Sequence, residues 1–496
     1  MNIHNELNRT LHSSPADVHI LHTSTAKQSR MTNRRNRHAL SRSSKGAMLL
    51  KRLVLQSMKL LYVAPLFAFF FICANSYYAD KMLSPLYRPA ILFVSLAYLS
   101  SYTLFCHIYG GMKIGLSPSS ELTISHFWTN LLSICCAYLV ICLFAQHFVN
   151  PLPLLGLLLI QTLWSALFSG IANKLYFLLN PPKKTIMFYQ DPLDLKKLDE
   201  IDLFHNLFSL EQLVKAPASF EDFKDYLLAY DAVLVCGIDE AVRRDILRFC
   251  ADHEKECYFF PFVDDIAFSS AKHMNAFSIP YMSICSAPGL HAFGYRFIKR
   301  LIDIVVSLVG ILITLPISLP VALLIWLDDR GPVFYTQKRS TRNHKAFNII
   351  KFRSMRTDAE ANGAVFAEEN DPRITKIGKI LRTFRLDELP QLLNILEGSM
   401  TLVGPRPERP EFIAQFENEM PDFSQRLQVK AGLTGYAQVY GRYSTTASDK
   451  LLMDLMYISN MSLAMDLKLL LLTLKVALMK SSSEGFSKKK KEMHTM

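Results

Sequence analysis

The sequence predicts a membrane protein of mixed α and α/β construction. Four transmembrane helices precede an α/β domain and a mainly helical domain that carries a re-entrant membrane segment. Three observations predict it. Four apolar stretches, near 53–75, 89–109, 127–148 and 153–178, each approach the ~20 residues that cross a bilayer as a helix. Between residues 184 and 290, short apolar runs alternate with helical patterns. A further apolar run, residues 301–327, is interrupted by Pro316 and Pro320. Composition agrees, since 50% of the 496 residues are hydrophobic and the mean hydropathy of +0.16 is high for a soluble protein.

Residues 1–50 are rich in Ser, Arg, Asn and His, show no periodicity, and read as a disordered basic cytosolic tail. A signal peptide is not expected, because the basic stretch is long and the apolar run after it is too long for one. Residues 51–180 hold the four spans. Lys51 and Arg52 flank the first, Lys113 lies between the second and third, and Lys183-Lys184 follow the fourth. The third-to-fourth link, His147 to Pro151, carries no Lys or Arg. This bias puts the N-terminus, the second link and the exit on the cytosolic side, with Lys81 and Arg88 in the first link running against it. The formal charge of +12 is therefore assigned to cytosolic loops and anionic lipid headgroups, not to nucleic acid. Nine cysteines form no Cys-x-x-Cys pair and no His/Cys cluster at zinc spacing. Cys73, Cys106, Cys135, Cys136 and Cys142 lie in apolar runs, where Cys behaves as a small hydrophobe, so a reducing cytosolic face is expected.

Residues 181–292 form the α/β domain. Thr185 to Tyr189, Ala232 to Cys236 and Cys257 to Phe262 read as buried strands, with a helix from Asp239 to Cys250. The alternation argues a parallel sheet of Rossmann type. A dinucleotide site needs glycines in the first strand-to-helix turn, but Tyr189-Gln190-Asp191-Pro192-Leu193 has none. A structural or regulatory domain is favoured over a cofactor domain.

Residues 293–480 form the last domain. Pro316 and Pro320 each remove a backbone donor, one turn apart on one face. A break there lets 301–327 turn back, so that Lys299, Arg300, Asp328, Asp329 and Arg330 share one headgroup layer. A kinked fifth span is the other reading. Further on, Asp387-Glu388 precede Pro390, with Leu389, Leu392, Leu393 and Leu396 at helical spacing. A helix N-terminus stabilises anions, yet Asp387 as an N-cap and Glu388 as a first-turn charge explain the pair equally well. Arg373, Arg382, Arg385, Arg406 and Arg409 surround it, with Lys351, Arg353 and Arg356 upstream. Arginine forks bind phosphate oxygens, and a carboxylate attacking phosphorus needs such cations. The plainer reading is a basic face touching lipid headgroups. Asp466 to Lys480 alternates leucines with Lys468, Lys475 and Lys480, as a helix lying in the interface does. Lys488 to Lys491, in the basic tail 481–496, either add attraction to anionic lipid or form a solvated terminus.

Seven pieces in order carry a resemblance. They are Lys299-Arg300-Leu301-Ile302-Asp303, Gly331-Pro332-Val333-Phe334-Tyr335, Lys351-Phe352-Arg353-Ser354-Met355 and Arg385-Leu386-Asp387-Glu388-Leu389-Pro390-Gln391. Then follow Val403-Gly404-Pro405-Arg406-Pro407-Glu408, the segment Gly432 to Val439, and Asp454-Leu455-Met456-Tyr457. Over about 180 residues the chain resembles the bacterial sugar transferases of the monotopic phosphoglycosyl transferase type, the polyprenyl glycosylphosphotransferases, in their long multi-span form. The resemblance implies transfer of a sugar 1-phosphate from a UDP-sugar to undecaprenyl phosphate, with release of UMP. That reaction would initiate exopolysaccharide, capsule or O-antigen synthesis. It makes Asp387 the nucleophile and a ligand of Mg²⁺, and gives Glu388 the task of orienting the metal or acting on the acceptor's proton. Lys351, Arg353, Arg385 and Arg406 become phosphate contacts, and Asp454 an acid near the site. The turn Gly432 to Gly435 would approach the nucleotide. It implies a re-entrant helix broken at Pro316, where the family's Ser-Pro is Leu315-Pro316. Tyr436 and Met461 replace two family tryptophans. The enzyme would sit in the bacterial inner membrane, with membrane lipids as partners and its active site on the cytosolic face. The spans and the α/β domain could also mediate a homodimer. Two other readings stand beside this one: a membrane hexosyltransferase that releases UDP, and a non-catalytic membrane scaffold.

Overall fold

A computed structural model describes residues 33–82, 87–190, 207–216, 227–276, 279–283, 293–357, 359, 371–441 and 445–477. The chain falls into two compact units, one up to Pro65 and one from Leu66 on. In the first, residues from Asn33 belong to helix α1 (Asn33–Tyr78). The tail expected to lack structure over 1–50 is thus helical from Asn33 on, and the rest of it lies outside the described residues. Ala, Leu, Arg and Lys in this stretch are good helix formers, and an apolar helix already in place spares them the nucleation cost.

Helices α2 (Tyr87–Tyr109), α3 (Ser119–Ala145) and α4 (Leu152–Leu179) follow. Five stretches are long and apolar enough to cross a membrane: Leu53–Lys81, Pro89–Tyr109, Ser119–Ala145, Leu152–Leu179 and Phe293–Asp328. Polar side chains join three of the first four, an arrangement that suits helices with lipid around them. Gln161 of α4 donates to the Leu66 carbonyl at 3.2 Å and to the Tyr98 hydroxyl at 2.9 Å. Tyr98 in turn stacks on Phe70, with ring centroids 4.1 Å apart.

Strands β1 (Lys183–Tyr189), β2 (Phe208–Lys215), β3 (Ala232–Cys236) and β4 (Glu256–Phe259) form one sheet in the order β2-β1-β3-β4, every pair parallel. All five residues of β3 are buried, as expected of a strand covered on both faces. Helix α5 (Glu240–Asp252) covers one face with Ile246, Phe249 and Cys250. Helix α6 (Val263–Ser269) and the hairpin of β5 (Lys272–Ala276) and β6 (Ile279–Ser283) come next. Ile266 of α6 is buried in the core of the following domain.

That domain opens with α7 (Phe293–Asp329) and the hairpin of β7 (Phe334–Ser340) and β8 (Ala346–Phe352). Then come α8 (Lys376–Thr383), a 3₁₀ turn (Leu386–Glu388) and α9 (Gln391–Glu397). Strand β9 (Thr401–Val403), α10 (Pro410–Glu419) and a 3₁₀ stretch (Pro421–Gln428) lead to β10 (Gly432–Thr434), parallel to β9. Helices α11 (Tyr436–Tyr440), α12 (Ala447–Ser459) and α13 (Leu463–Ala477) close the domain. Ile395, Met400, Leu402, Ile413, Phe423, Leu455 and Leu469 fill its core.

The break predicted at Pro316 is not seen, because α7 runs unbroken through Pro316 and Pro320. Thr314 donates back to the Gly310 carbonyl at 2.7 Å, a bond that bends a helix without ending it. What holds α7 is the domain along its length. Arg300 donates to the carbonyls of Ile395 and Leu396 at 2.6 and 2.7 Å. Asp303 accepts from Thr401 Oγ1 and the Leu402 amide at 2.8 and 3.0 Å. Gly310 passes so near Leu392 that a Cβ would stand 3.2 Å from it. Val321 and Ile325 pack with Phe352 and Leu381. From Arg300 to Ile325 that is ~38 Å of helix held on one domain, with Leu312, Ile313, Leu319 and Leu323 exposed on its outer side.

Helix α13 also departs from expectation. Lys475, read as facing headgroups, is only 8% exposed and pairs with Glu121 in the first turn of α3 at 2.8 Å. Asp466 is buried too, bonded by Tyr457 at 2.7 Å and Lys299 at 2.9 Å. Lys480 and Lys488 to Lys491 lie outside the described residues.

Candidate active site

The Asp387-Glu388 pair does not open a helix directly. It occupies the 3₁₀ turn, and Pro390 separates it from α9. Arg385 enters that turn in the left-handed region (φ 53°), a conformation costing a non-glycine residue about 1–2 kcal/mol. Its carbonyl accepts the Glu388 amide at 3.3 Å, which closes the turn. Such strain at a charged cluster is common at functional sites.

Glu388 is gripped. Its Oε1 takes Arg406 Nη2 at 2.9 Å and Lys351 Nζ at 3.4 Å. Burial alone would raise its pKa, but Arg406, Lys351 and Arg385 overcome burial and hold the carboxyl well below the usual range. Asp387 differs, though only 9% exposed. Its carboxylate accepts no hydrogen bond among the described residues. Burial and the neighbouring Glu388 charge push its pKa up, against the pull of Lys351, Arg382 and Arg406. Two adjacent carboxyls with opposite shifts suit different roles: Glu388 is a fixed anion, and the Asp387 carboxylate is left unengaged.

Arg406 is held by its backbone. The Gly404 amide donates to the Thr434 carbonyl at 2.8 Å, and the Gly432 amide to the Pro405 carbonyl at 2.8 Å. A Cβ on Gly432 would overlap the Gly404 amide, and one on Gly435 the Gly404 carbonyl. These glycines therefore permit backbone to meet backbone. The Arg406 carbonyl accepts from Arg426 Nη2 at 3.0 Å. Arg426 pairs in turn with Asp454 at 2.7 Å, the two side chains 4% and 1% exposed.

Of the predicted site residues, Asp387, Glu388, Lys351, Arg385 and Arg406 come together. Asp454 does not face them. It lies behind Arg426, where burial raises its carboxyl to about 6 against the Arg426 charge. Arg353 also turns away, donating to the Ile325 carbonyl at 3.4 Å beneath Gly331, where it holds the end of α7. Arg373 is forked onto Asp371. Arg339, Gln391 and Arg426 are residues that the sequence did not single out, whereas Arg382, one of the surrounding arginines named there, does act on Asp387. A signal for Arg339 existed in the period-two pattern of β7, whose Tyr335, Gln337 and Arg339 alternate together against Lys351, Ile349 and Phe347 of β8.

Among the described residues no three His, Cys, Asp or Glu side chains cluster as a self-sufficient metal site. Mg²⁺ is commonly held by one or two carboxylates together with substrate phosphates. Asp387, with its lone pairs unengaged, fits that donor set, and Glu388 is already committed to cations.

An unengaged carboxylate ringed by lysine and arginine, on a domain clasping an apolar helix, has the parts of a membrane-associated phosphoryl-transfer site. Residues 294–480 match the family described as bacterial sugar transferases. The chain is 42% identical over 187 residues to the UDP-N-acetylgalactosamine-undecaprenyl-phosphate N-acetylgalactosaminephosphotransferase of Aeromonas hydrophila, covering 37% of this chain and 44% of that protein. It is 50% identical over 133 residues to the putative undecaprenyl-phosphate N-acetylgalactosaminyl 1-phosphate transferase of Bacillus subtilis, covering 27% of this chain and 74% of that protein. It is 34% identical over 253 residues to the UDP-glucose:undecaprenyl-phosphate glucose-1-phosphate transferase of Escherichia coli K12, covering 49% and 53%. The chain belongs to the bacterial sugar transferase family.

Proposed function

We propose that the protein transfers a sugar 1-phosphate from a UDP-sugar to undecaprenyl phosphate and releases UMP, as the initiating step of exopolysaccharide, capsule or O-antigen synthesis. The observation that carries this reading is the unengaged Asp387 carboxylate beside a Glu388 that anchors Lys351 and Arg406. The names of the Aeromonas and Escherichia relatives support the substrate classes.

In the first step an Asp387 carboxylate oxygen bonds to the sugar-bearing phosphorus. The bond from that phosphorus to the bridging oxygen breaks, and UMP leaves with the electron pair. In the second step an oxygen of undecaprenyl phosphate attacks the same phosphorus, and Asp387 departs as carboxylate. Lys351, Arg382, Arg385 and Arg406 offset the charge of an anion meeting an anion. Asp387 is the residue that would hold a magnesium ion, whose charge would further neutralise the diphosphate.

Packing of both ends of α7 on one domain supports a helix that rests in the membrane against that domain and does not carry it across. That placement keeps the active site on the cytosolic face of the inner membrane. The glycine-free first turn of the parallel sheet, and the burial of Ile266 in the neighbouring core, support a structural or regulatory role for the Rossmann-like domain. The test is nucleotide release by membranes given undecaprenyl phosphate, Mg²⁺ and a panel of UDP-sugars. UMP formed by the native protein and lost in Asp387→Asn is the expected result. UDP in its place would move the protein to the hexosyltransferases, and no nucleotide with any donor would favour a scaffold.

A further inference from the structure

We propose that Arg339 and Gln391 form, with Lys351 and Arg406, a subsite for one oxygen of a phosphate group, an inference that rests on the phosphosugar transfer just described. A cavity of about 10 Å³ is lined by Arg339, Ile349, Lys351, Gln391, Arg406 and Pro407. Its four polar side chains all bring N–H groups. Gln391 is 3% exposed, yet its amide nitrogen makes no hydrogen bond. The Nε of Arg339 makes none either. The rest of that guanidinium is engaged, Nη1 with the Pro407 carbonyl at 3.3 Å and Nη2 with Gln337 Oε1 at 2.8 Å. The side chain is thereby fixed, with the free Nε–H left over.

Buried donors without acceptors are unfavourable, and proteins keep few of them without a use. The volume admits one oxygen atom. A water molecule there would bring two hydrogens of its own into a site already supplied with donors. The lining's acceptors are few beside its donors: Ile349 is apolar, the Pro407 carbonyl already accepts from Arg339, and of the four polar side chains Gln391 alone carries an acceptor oxygen. A phosphoryl oxygen carries no hydrogen and accepts from several donors at once. Lys351 and Arg406 line this cavity and also grip Glu388, so the bound phosphate lies beside the Asp387-Glu388 pair. Both substrates carry such an oxygen, the nucleoside diphosphate of the donor and the monophosphate of the acceptor.

The test is steady-state UMP release by the full-length protein in lipid nanodiscs, varying the UDP-sugar and undecaprenyl phosphate separately. Gln391→Met keeps the shape and removes the donors, and Arg339→Gln removes the guanidinium. The expected result is about a tenfold rise in KM for one substrate, with the KM of the other unchanged. A rise for the UDP-sugar assigns the oxygen to the nucleotide, and a rise for undecaprenyl phosphate assigns it to the acceptor. Both KM values unchanged in a Gln391→Met protein of native melting temperature would overturn the subsite. If Gln391→Met does not fold, Gln391→Glu takes its place. It keeps the size but sets a negative charge against the phosphate, and unchanged KM values there overturn the proposal equally. Native protein that releases no UMP sinks the transfer reading itself, which separates the two failures.

Discussion

At the residue scale the site depends on an asymmetry between neighbours. Asp387→Asn is expected to lower UMP release by at least ~10³-fold, as loss of a nucleophile does, with little change in melting temperature because no hydrogen bond is lost. Glu388→Gln should behave differently. It takes the shared counter-charge from Arg406, whose side chain is 44% exposed, and from the more buried Lys351, so chemical unfolding should report lower stability as well as lower activity. Asp454 makes a pH prediction. Its folded pKa, about 6, lies above the model-compound value of 3.8. The folded state therefore binds the extra proton between those values, and this group's contribution to stability falls as pH rises from about 4 to 6. Unfolding curves of the native protein and Asp454→Asn across that range should differ in slope with that sign; parallel curves would refute it. The cluster was legible in the sequence where it was local: Asp387, Glu388, Lys351, Arg385 and Arg406 sit in short stiff motifs. Arg353 was not. It shares the parity of Lys351, but β8 ends at Phe352, so strand alternation no longer directs it. Asp454 was missed in role because its partner, Arg426, lies outside its motif and meets it only through tertiary packing.

At the element scale, α7 is where local propensity lost to packing. Two prolines one turn apart predict a break, but Arg300, Asp303 and Gly310 fasten the first half of the helix, and Val321 and Ile325 the second. Arg300→Ala removes two charge-assisted bonds to the carbonyls that end α9, and should destabilise the domain by roughly 1.5–3 kcal/mol. Topology is testable apart from stability. Single cysteines at Arg296 and Arg330, in a background without other accessible thiols, should label from the cytosolic side only in sealed vesicles. Labelling of the two from opposite sides would make α7 a fifth span. In the α/β domain, β1 and β3 were readable as continuous apolar runs. β2 was not, because an edge strand with exposed Glu211 and Gln212 lacks that signature. The polar β5, Lys-His-Met-Asn-Ala, lacks it too.

At the scale of the whole molecule, helix length and apolarity are local properties, and the positions of the membrane stretches followed from them. How the catalytic domain meets those helices was not readable, since a lysine among leucines suggests a headgroup contact and Lys475 instead pairs with Glu121. Glu121→Lys should lower activity and melting temperature, and adding Lys475→Glu should restore much of both. That ion pair joins residues 354 positions apart. At a synthesis rate of ~5–20 residues per second, Glu121 waits on the order of tens of seconds for its partner. During that interval the first turn of α3 has no lysine to hold, so the nascent chain can complete its long apolar helices well before the last domain is seated on them. Docking of the enzyme is thus ordered in time by the ribosome, with the clasp among the last parts to be made.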